Sequence, residues 1–459
     1  MPAVPLGQDA YLRASSFQPE TRLVNLFIEE DQSGGSTETT MLLQRPGLTL
    51  TKAFSAPIRG IYQSDNYITS LPLIVSGTQW LTLNGTTATV IATVGDDHQT
   101  VRMEATTLAI GLLSAGVFRI WDGKAVTVVM QRDDETVGPS NVLTPLDPIV
   151  DLDVLNGYFI LGTATGKFYW LVPGETSVDP LHYETAEALP DSLRAVRRLR
   201  DDIFMFGANS IEVWQASGDA DATFTRAVGR LVDRGIASRD TLAIFDNSFV
   251  WHGDDGVIYR MADVPVRIST FGLEERIRDR TGDCSAWVFT TAGHKFYVLT
   301  IPGQGTFAYD ASTKLWCEFA SNDATTWLPR LGRDMGDVAL AGDATGRVFK
   351  LDPDSPFDNG VPFTRLVTGT VAIDGRSAAV GSLAVAVGSN GPAPFNLRYH
   401  DPRRAWSTPA TKVARGDADI LNFWRLGAVH SPARTFEISC SAPTQIRISG
   451  AVANESWRS

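Results

Sequence analysis

Apolar residues in this chain fall into short runs bounded by glycine-rich turns, and almost never at helical spacing. The clearest case is residues 197–217, RRLRDDIFMFGANSIEVWQAS: a strand-like run, a turn on Gly207, Ala208 and Asn209, then a second run ending in Trp214. The same unit recurs as LIVSG/TQWLTL at 73–83, LAIG/VFRIW at 108–121 and YFILG/TATG/KFYWL at 158–171. It returns as FVWHG/DDG/VIYRM at 249–261 and VALAG/DATG/RVFKL at 338–351, with a looser copy at 295–319. Each is an apolar strand, a glycine-rich turn, and a second strand with an aromatic near its end.

The glycines closing the first strands are Gly77, Gly111, Gly162, Gly207, Gly253 and Gly342, so the steps are 34, 51, 45, 46 and 89 residues, and the last is close to two steps. A period of about 40–50 residues with four short strands per repeat predicts an all-β fold, a β-propeller. Six or seven blades fit, and seven is preferred. An irregular stack of hairpins in a sandwich is the competing architecture.

Three segments follow. Residues 1–57 form an N-terminal arm with strands at 24–30 (VNLFIEE) and 40–44 (TMLLQ), separated by a polar loop at 31–38. Arg45-Pro46-Gly47-Leu48 has the composition of a type II turn. Residues 26–28 are the candidate for a strand that completes the last blade and removes its open edge. Residues 58–362 form the propeller, interrupted by a long polar connection at 174–192 of the kind that carries function or a partner contact. Residues 363–459 keep glycine-containing β segments without the blade signature and read as a small β-sandwich-like domain. Within it, 401–408 (DPRRAWST) is a turn with an aromatic and two arginines. The best helix signal is LEERIRDR at 273–280.

Charge and chemistry narrow the picture. The net charge of −12 argues against a general nucleic-acid binder, which needs surplus Lys and Arg to neutralise phosphates. No run approaches the length of a membrane helix, and the N-terminus does not read as a secretory signal. Cys284, Cys317 and Cys440 lie far apart in strand-like runs and read as buried, reduced thiols, consistent with synthesis in the cytosol. The six histidines show no metal-ligand spacing, and His252, in VWHG, reads as a satisfied core or turn residue. Asp254-Asp255-Gly256 and Asp343-Ala344-Thr345-Gly346 resemble fragments of calcium loops but lack the remaining oxygen ligands, and read as blade turns. Arg194, Arg197, Arg198 and Arg200 suggest a phosphate patch. With Asp191, Asp201 and Asp202 alongside, a strand of balanced charges is the preferred reading. Trp121, Trp170 and Trp214 sit at one place in successive repeats, as blade packing requires and sugar stacking does not. There is no nucleophile elbow, phosphate-binding loop or repeated sialidase box, so no catalytic, cofactor or metal site is assigned.

Several stretches, in order, resemble the packaged-DNA stabilisation proteins of short-tailed bacteriophages, the tail-hub or tail-accessory factors below the portal. They are Val24-Asn25 with Arg45-Pro46-Gly47-Leu48; Asp179-Pro180, Tyr183, Ala186-Glu187 and Pro190-Asp191; and DIFMFGANSIEVW at 202–214. Further along come Arg234-Gly235-Ile236-Ala237 and Tyr309-Asp310-Ala311-Ser312 with Trp316-Cys317.

The resemblance implies a structural virion protein, made in the host cytoplasm, with no catalytic motif to carry over. In the family six copies ring the tail axis, bind the portal adaptor, carry fibres, spikes or a needle, and keep pressurised DNA in the head. DNA passes nearby without specific binding, and acidic charge facing its path would repel it. The expected partner contacts are Asp179, Tyr183, Glu187 and Asp191 in the long connection, and Arg403, Arg404 and Trp406 near the C-terminus. A propeller enzyme or adhesin acting on host glycans is the alternative from another class, and a propeller scaffold unconnected with virions is a third.

Overall fold

The computed structural model describes residues 3–6, 21–30, 40–64, 68–132, 143–186, 191–219, 223–322, 324–372, 378–402, 404–429 and 433–457. Seven four-stranded antiparallel units follow one another along these residues. The first is built from Ile58–Tyr62, Leu73–Ser76, Gln79–Asn84 and Thr87–Thr93. The fourth, from Leu193–Leu199, Asp202–Gly207, Ile211–Ala216 and Phe224–Val232, contains the hairpin that reads most clearly in the sequence. In the seventh, Leu331–Asp334, Ala339–Gly342 and Arg347–Asp352 are joined by Gly47–Ala53 from the arm. Its first strand packs on that of the first unit, which closes the ring. The architecture is a β-propeller.

Packing between neighbouring units explains the repeat. Trp80 meets Trp121 edge-on at 6.1 Å, Phe168 meets Trp214 at 4.9 Å, and Phe206 meets Trp251 at 5.8 Å, each pair spanning two blades. The aromatics near the second-strand ends are thus the layer between blades. Three of the periodic glycines, Gly111, Gly162 and Gly342, serve the same layer. A Cβ on Gly162 would lie 2.7 Å from Leu193 and Val196 of the next blade, and one on Gly342 would lie 2.5 Å from Ile58. Neither has positive φ. Close approach, not turn geometry, requires glycine there.

Two expectations for the arm are corrected. The blade-closing strand is Gly47–Ala53, antiparallel to Arg347–Asp352. Residues 26–28 belong to Leu26–Glu30, which pairs with Thr40–Gln44 in a different sheet. Leu26, Phe27 and Ile28 are all buried, and apolar side chains on both faces suit a strand between two layers. The outermost strand of a blade, half in water, instead takes the polar alternation of LTLTKA. Gly47 is not the left-handed centre of a type II turn: it opens the closing strand, and a Cβ there would meet the carbonyls of Ser355 and Phe357 at 2.5 Å.

The C-terminal strands form two facing layers, each completed by the arm. Leu23–Val24 runs parallel to Trp316–Phe319 of the sixth blade and antiparallel to Arg365–Ala372, so that blade continues into the C-terminal sheet. The second layer orders Leu26–Glu30, Thr40–Gln44, Ile446–Trp457, Ala378–Ser389 and Asp419–Trp424. Phe395, Phe436 and Ile438 of one layer share a core with Leu383, Val385 and Phe423 of the other, and the same core reaches Phe289, Phe296 and Phe349 of the propeller. The helix is Phe271–Arg278, its first turn capped by the Thr270 hydroxyl, which accepts from the Leu273 amide. Cys284, Cys317 and Cys440 are buried thiols outside any disulfide.

Candidate functional site

Three places combine polar chemistry with a position that could serve an assembly: the propeller axis, the junction of arm and blades, and the predicted contact loops.

At the axis, the inner strand Ile149–Leu155 carries Asp151 and Asp153, both buried. Asp151 pairs with Arg197 of the next blade and also accepts from the Val196 amide at 2.9 Å. Asp153 accepts from the Arg198 amide at 2.9 Å. Arg102 binds Glu104 at 2.7 Å. Burial, reinforced by the like charge of Glu104, pushes the Asp153 carboxyl up to about 6. Burial and the neighbouring Arg102 lower the Arg197 guanidinium. Burial would lower Arg102 too, but Glu104, Asp151 and Asp153 outweigh it and hold Arg102 above its ordinary value.

Arg197 therefore is balanced, as the sequence suggested, but by the neighbouring blade's Asp151 and not by Asp191, Asp201 or Asp202. Two aspartates in the otherwise apolar run IVDLDVL were the available signal. Arg239, just before the fifth blade, reaches across to the Thr100 carbonyl at 2.8 Å and the Val150 carbonyl at 2.7 Å. What stays open at the axis is a cavity of about 130 Å³ and a mouth of about 300 Å³.

At the junction, Asn25 and Arg45 from the arm meet Ala320 and Ser321 after the sixth blade and Asp358 after the seventh. Asn25, in left-handed backbone at φ 57°, donates to the Ala320 and Thr364 carbonyls at 2.9 and 2.7 Å. Its side-chain oxygen accepts from the Ala320 amide and from Arg45 Nε. The Arg45 guanidinium stacks on Phe363 at 4.0 Å. These are the arm residues that carry the family resemblance, and they tie the arm to the propeller.

The predicted contact residues divide into two groups on different parts of the molecule. Asp179 accepts from the Leu181 amide at 3.0 Å, and Tyr183 opens the outermost strand of the third blade, its ring 4.3 Å from the Lys167 ammonium. Leu181 between them is 77% exposed. Asp191 holds the Gly207–Ser210 turn, accepting from the Asn209 and Ser210 amides at 2.7 and 2.9 Å. Arg404 closes a turn onto the Asp401 carbonyl, and Trp406 lies 4.2 Å from His400 and 4.5 Å from the Arg398 guanidinium. Glu187 and Arg403 lie outside the described residues.

The calcium-loop fragments are turns. Asp343 accepts from the Thr345 and Arg347 amides at 2.9 and 2.8 Å, and Asp255 accepts from the Val257 amide at 3.2 Å. His252 departs from expectation. It is buried with neither ring nitrogen bonded, and burial, aided by Arg280, lowers it to about 4.

Three solved structures illustrate the likenesses found. The computationally designed Ika8 protein is 13% identical, with a TM-score of 0.41, over 72% of this chain and 99% of that one. BBS1N in complex with ARL6DN is 13% identical, with a TM-score of 0.44, over 67% of this chain and 98% of that one. The extracellular domain of the hybrid two-component system BT4673 from B. thetaiotaomicron is 12% identical, with a TM-score of 0.46, over 79% of this chain and 47% of that one. Likenesses this slight carry no argument. Among curated proteins none matches. A family profile, described as bacteriophage P22 Gp10, beta-propeller, matches residues 7–356 and so takes in the arm, its Asn25–Arg45 junction and nearly the whole ring. With most of its length matched, the chain belongs to this phage stabilisation family of structural β-propellers.

Proposed function

We propose that this protein is a tail hub of a phage particle. Several copies, six by analogy with the family, ring the tail axis below the portal and its adaptor, retain the packaged DNA and hold fibres, spikes or a needle. The family match over residues 7–356 carries this reading. The ring of blades adds a physical argument. Its closing strand and the buried junction at Arg45 fasten the chain's start to its later parts, and a disc fastened in this way transmits load between partners.

The propeller axis is unsuited to DNA. Its cavity of about 130 Å³ is walled by arginines, two of them paired with carboxylates behind the wall, whereas the major groove of a duplex is itself about 12 Å wide. The DNA path in this reading runs between copies, past their acidic outer surfaces. The axis does not offer the two carboxylates facing an open cleft that glycan hydrolysis needs, because Asp151 and Glu104 are both engaged by arginines.

The test is on particles assembled without this protein. Heads that package DNA and then lose it, lacking distal tail parts, are the expected outcome. Particles that keep their DNA but fail at the cell surface would replace the hub with an enzyme or adhesin. Particles normal in both respects would leave a scaffold outside the virion.

A further inference from the structure

The cavity at the propeller axis is not electrically balanced at its surface. Its wall presents Arg59, Arg102, Arg197, Arg239 and Arg330 against a single carboxylate, Asp240. The other acidic groups stand behind the wall and are engaged there, Asp151 by Arg197 and Glu104 by Arg102. This excess of guanidinium sits inside a chain of net charge −12.

Donor accounting separates these arginines into two kinds. Arg59 uses all three nitrogens, on the carbonyls of Gln99, Gly77 and Gly95 and on Asp97. Arg239 likewise uses all three, on Asp240, Val150 and Thr100. The others keep donors in reserve. Arg102 spends Nη2 on Glu104, and its Nη1 has no bond among the described residues, while its unbonded Nε is shut off from the cavity. Among the described residues Arg197 bonds through one Nη, to Asp151 and the Val196 carbonyl. The Arg330 guanidinium makes no ion pair or hydrogen bond among the described residues, and its neighbourhood opens to the wider mouth. Three planar forks with free N–H groups, lining one small cavity in the field of two further cations, form an anion receptor.

We propose that this cavity binds a small tetrahedral oxyanion of the phosphate class, held by Arg102, Arg197 and Arg330. The volume of about 130 Å³ accommodates one such ion, and the mouth lined by Gln99, Thr100 and Gly282 gives it a path in. Binding offsets the repulsion among guanidiniums from separate blades and so pins the ring together at its axis. The inference stands on the cavity alone, so it survives or fails independently of the tail-hub reading.

The experiment titrates inorganic phosphate into the full chain by calorimetry, with chloride holding the ionic strength fixed, and follows Tm in parallel. Saturable binding at one site is expected, with Tm raised by a few degrees and sulfate competing. Arg330→Gln, on an exposed side chain, should keep the fold by circular dichroism and weaken phosphate binding at least tenfold. Arg102→Met should do the same. The proposal is overturned if chloride raises Tm as much as phosphate does, or if folded Arg330→Gln and Arg102→Met bind phosphate like the parent. Displacement of phosphate by a short DNA duplex would overturn the assignment to a small ion and point to backbone phosphates.

Discussion

Arg45 and Asp358 form a two-pronged ion pair, Nη1 to Oδ1 at 3.0 Å and Nη2 to Oδ2 at 2.6 Å, with neither side chain reaching solvent. They are 313 residues apart, one on the arm and one just past the last blade. The remaining donors of Arg45 go to Asn25 and to the carbonyls of Pro46 and Ala320, and its flat face lies on Phe363 and Trp327. Ser321 supplies a further hydrogen bond to Asp358. Both charges of this pair are thus compensated, which is the condition under which a buried pair is tolerated.

Removing one partner should therefore be far more damaging than removing both. Asp358→Leu leaves a buried guanidinium uncompensated and is expected to cost about 3–5 kcal/mol, while Arg45→Met with Asp358→Leu recovers most of that loss. Denaturant unfolding of the parent, both single variants and the double variant measures the coupling. A loss below about 1 kcal/mol in Asp358→Leu would show that the pair does not hold the arm.

How much of this was legible in the sequence depended on the range of the interaction. Hairpins such as 202–214 and the periodic Trp121, Trp170 and Trp214 could be read because strand, turn and aromatic fall within one short window. The role of the interblade glycines could not be read for the same reason. Gly162 only marks a strand end until Leu193 and Val196 of the next blade are placed against it. Asp358 could not be found at all: a lone Asp in SPFDNG carries no mark of an arginine at the far end of the chain. The closing strand failed differently. The two arm segments read as strands pair with each other, and Gly47–Ala53, which completes the blade, was hidden because Arg45-Pro46-Gly47-Leu48 has the composition of a turn.

Two buried histidines should bend the stability curve in opposite directions. His252 is lowered from an ordinary 6.5 to about 4 by burial, then by Arg280, with Asp255 opposing. The unfolded chain takes up this proton more readily, so the associated stability is complete above about pH 6.5 and is lost as pH falls toward 4, about 3 kcal/mol in all. His294, 2.8 Å from Asp310, is raised by that hydrogen bond. Its contribution is complete below the ordinary value and is lost as pH rises through the elevated one. Subtracting the pH profile of His252→Phe from the parent should leave an acid-side slope, and subtracting that of His294→Gln a slope near and above neutrality. Parallel profiles in either case would reject that assignment.

The interblade glycines give a sharp contrast. Gly162→Ala drives a methyl to 2.7 Å from Leu193 and Val196 within the layer between the third and fourth blades. Overpacking there should cost about 1–3 kcal/mol. Gly416 has open space where its Cβ would lie and no left-handed backbone, so Gly416→Ala should be neutral or slightly stabilising. Thermal unfolding of the two variants decides the matter. Equal Tm values would mean that the blades shift apart freely, and the periodic glycines would then need another explanation.

The outer edge of the third blade is where an assembly contact can be tested without disturbing the fold. Leu181 is 77% exposed, its amide held by Asp179, and it is followed by Tyr183 on the outermost strand. An exposed leucine beside an exposed tyrosine contributes little to the isolated chain but can anchor a partner. Leu181→Asp should leave unfolding within about 0.5 kcal/mol of the parent. In particles complemented with this variant, occupancy of one neighbouring tail component should fall while the purified chain stays folded. Particles with a full complement of every component would remove this edge from the contact surface and leave the turn at Arg404 and Trp406 as the place to mutate next.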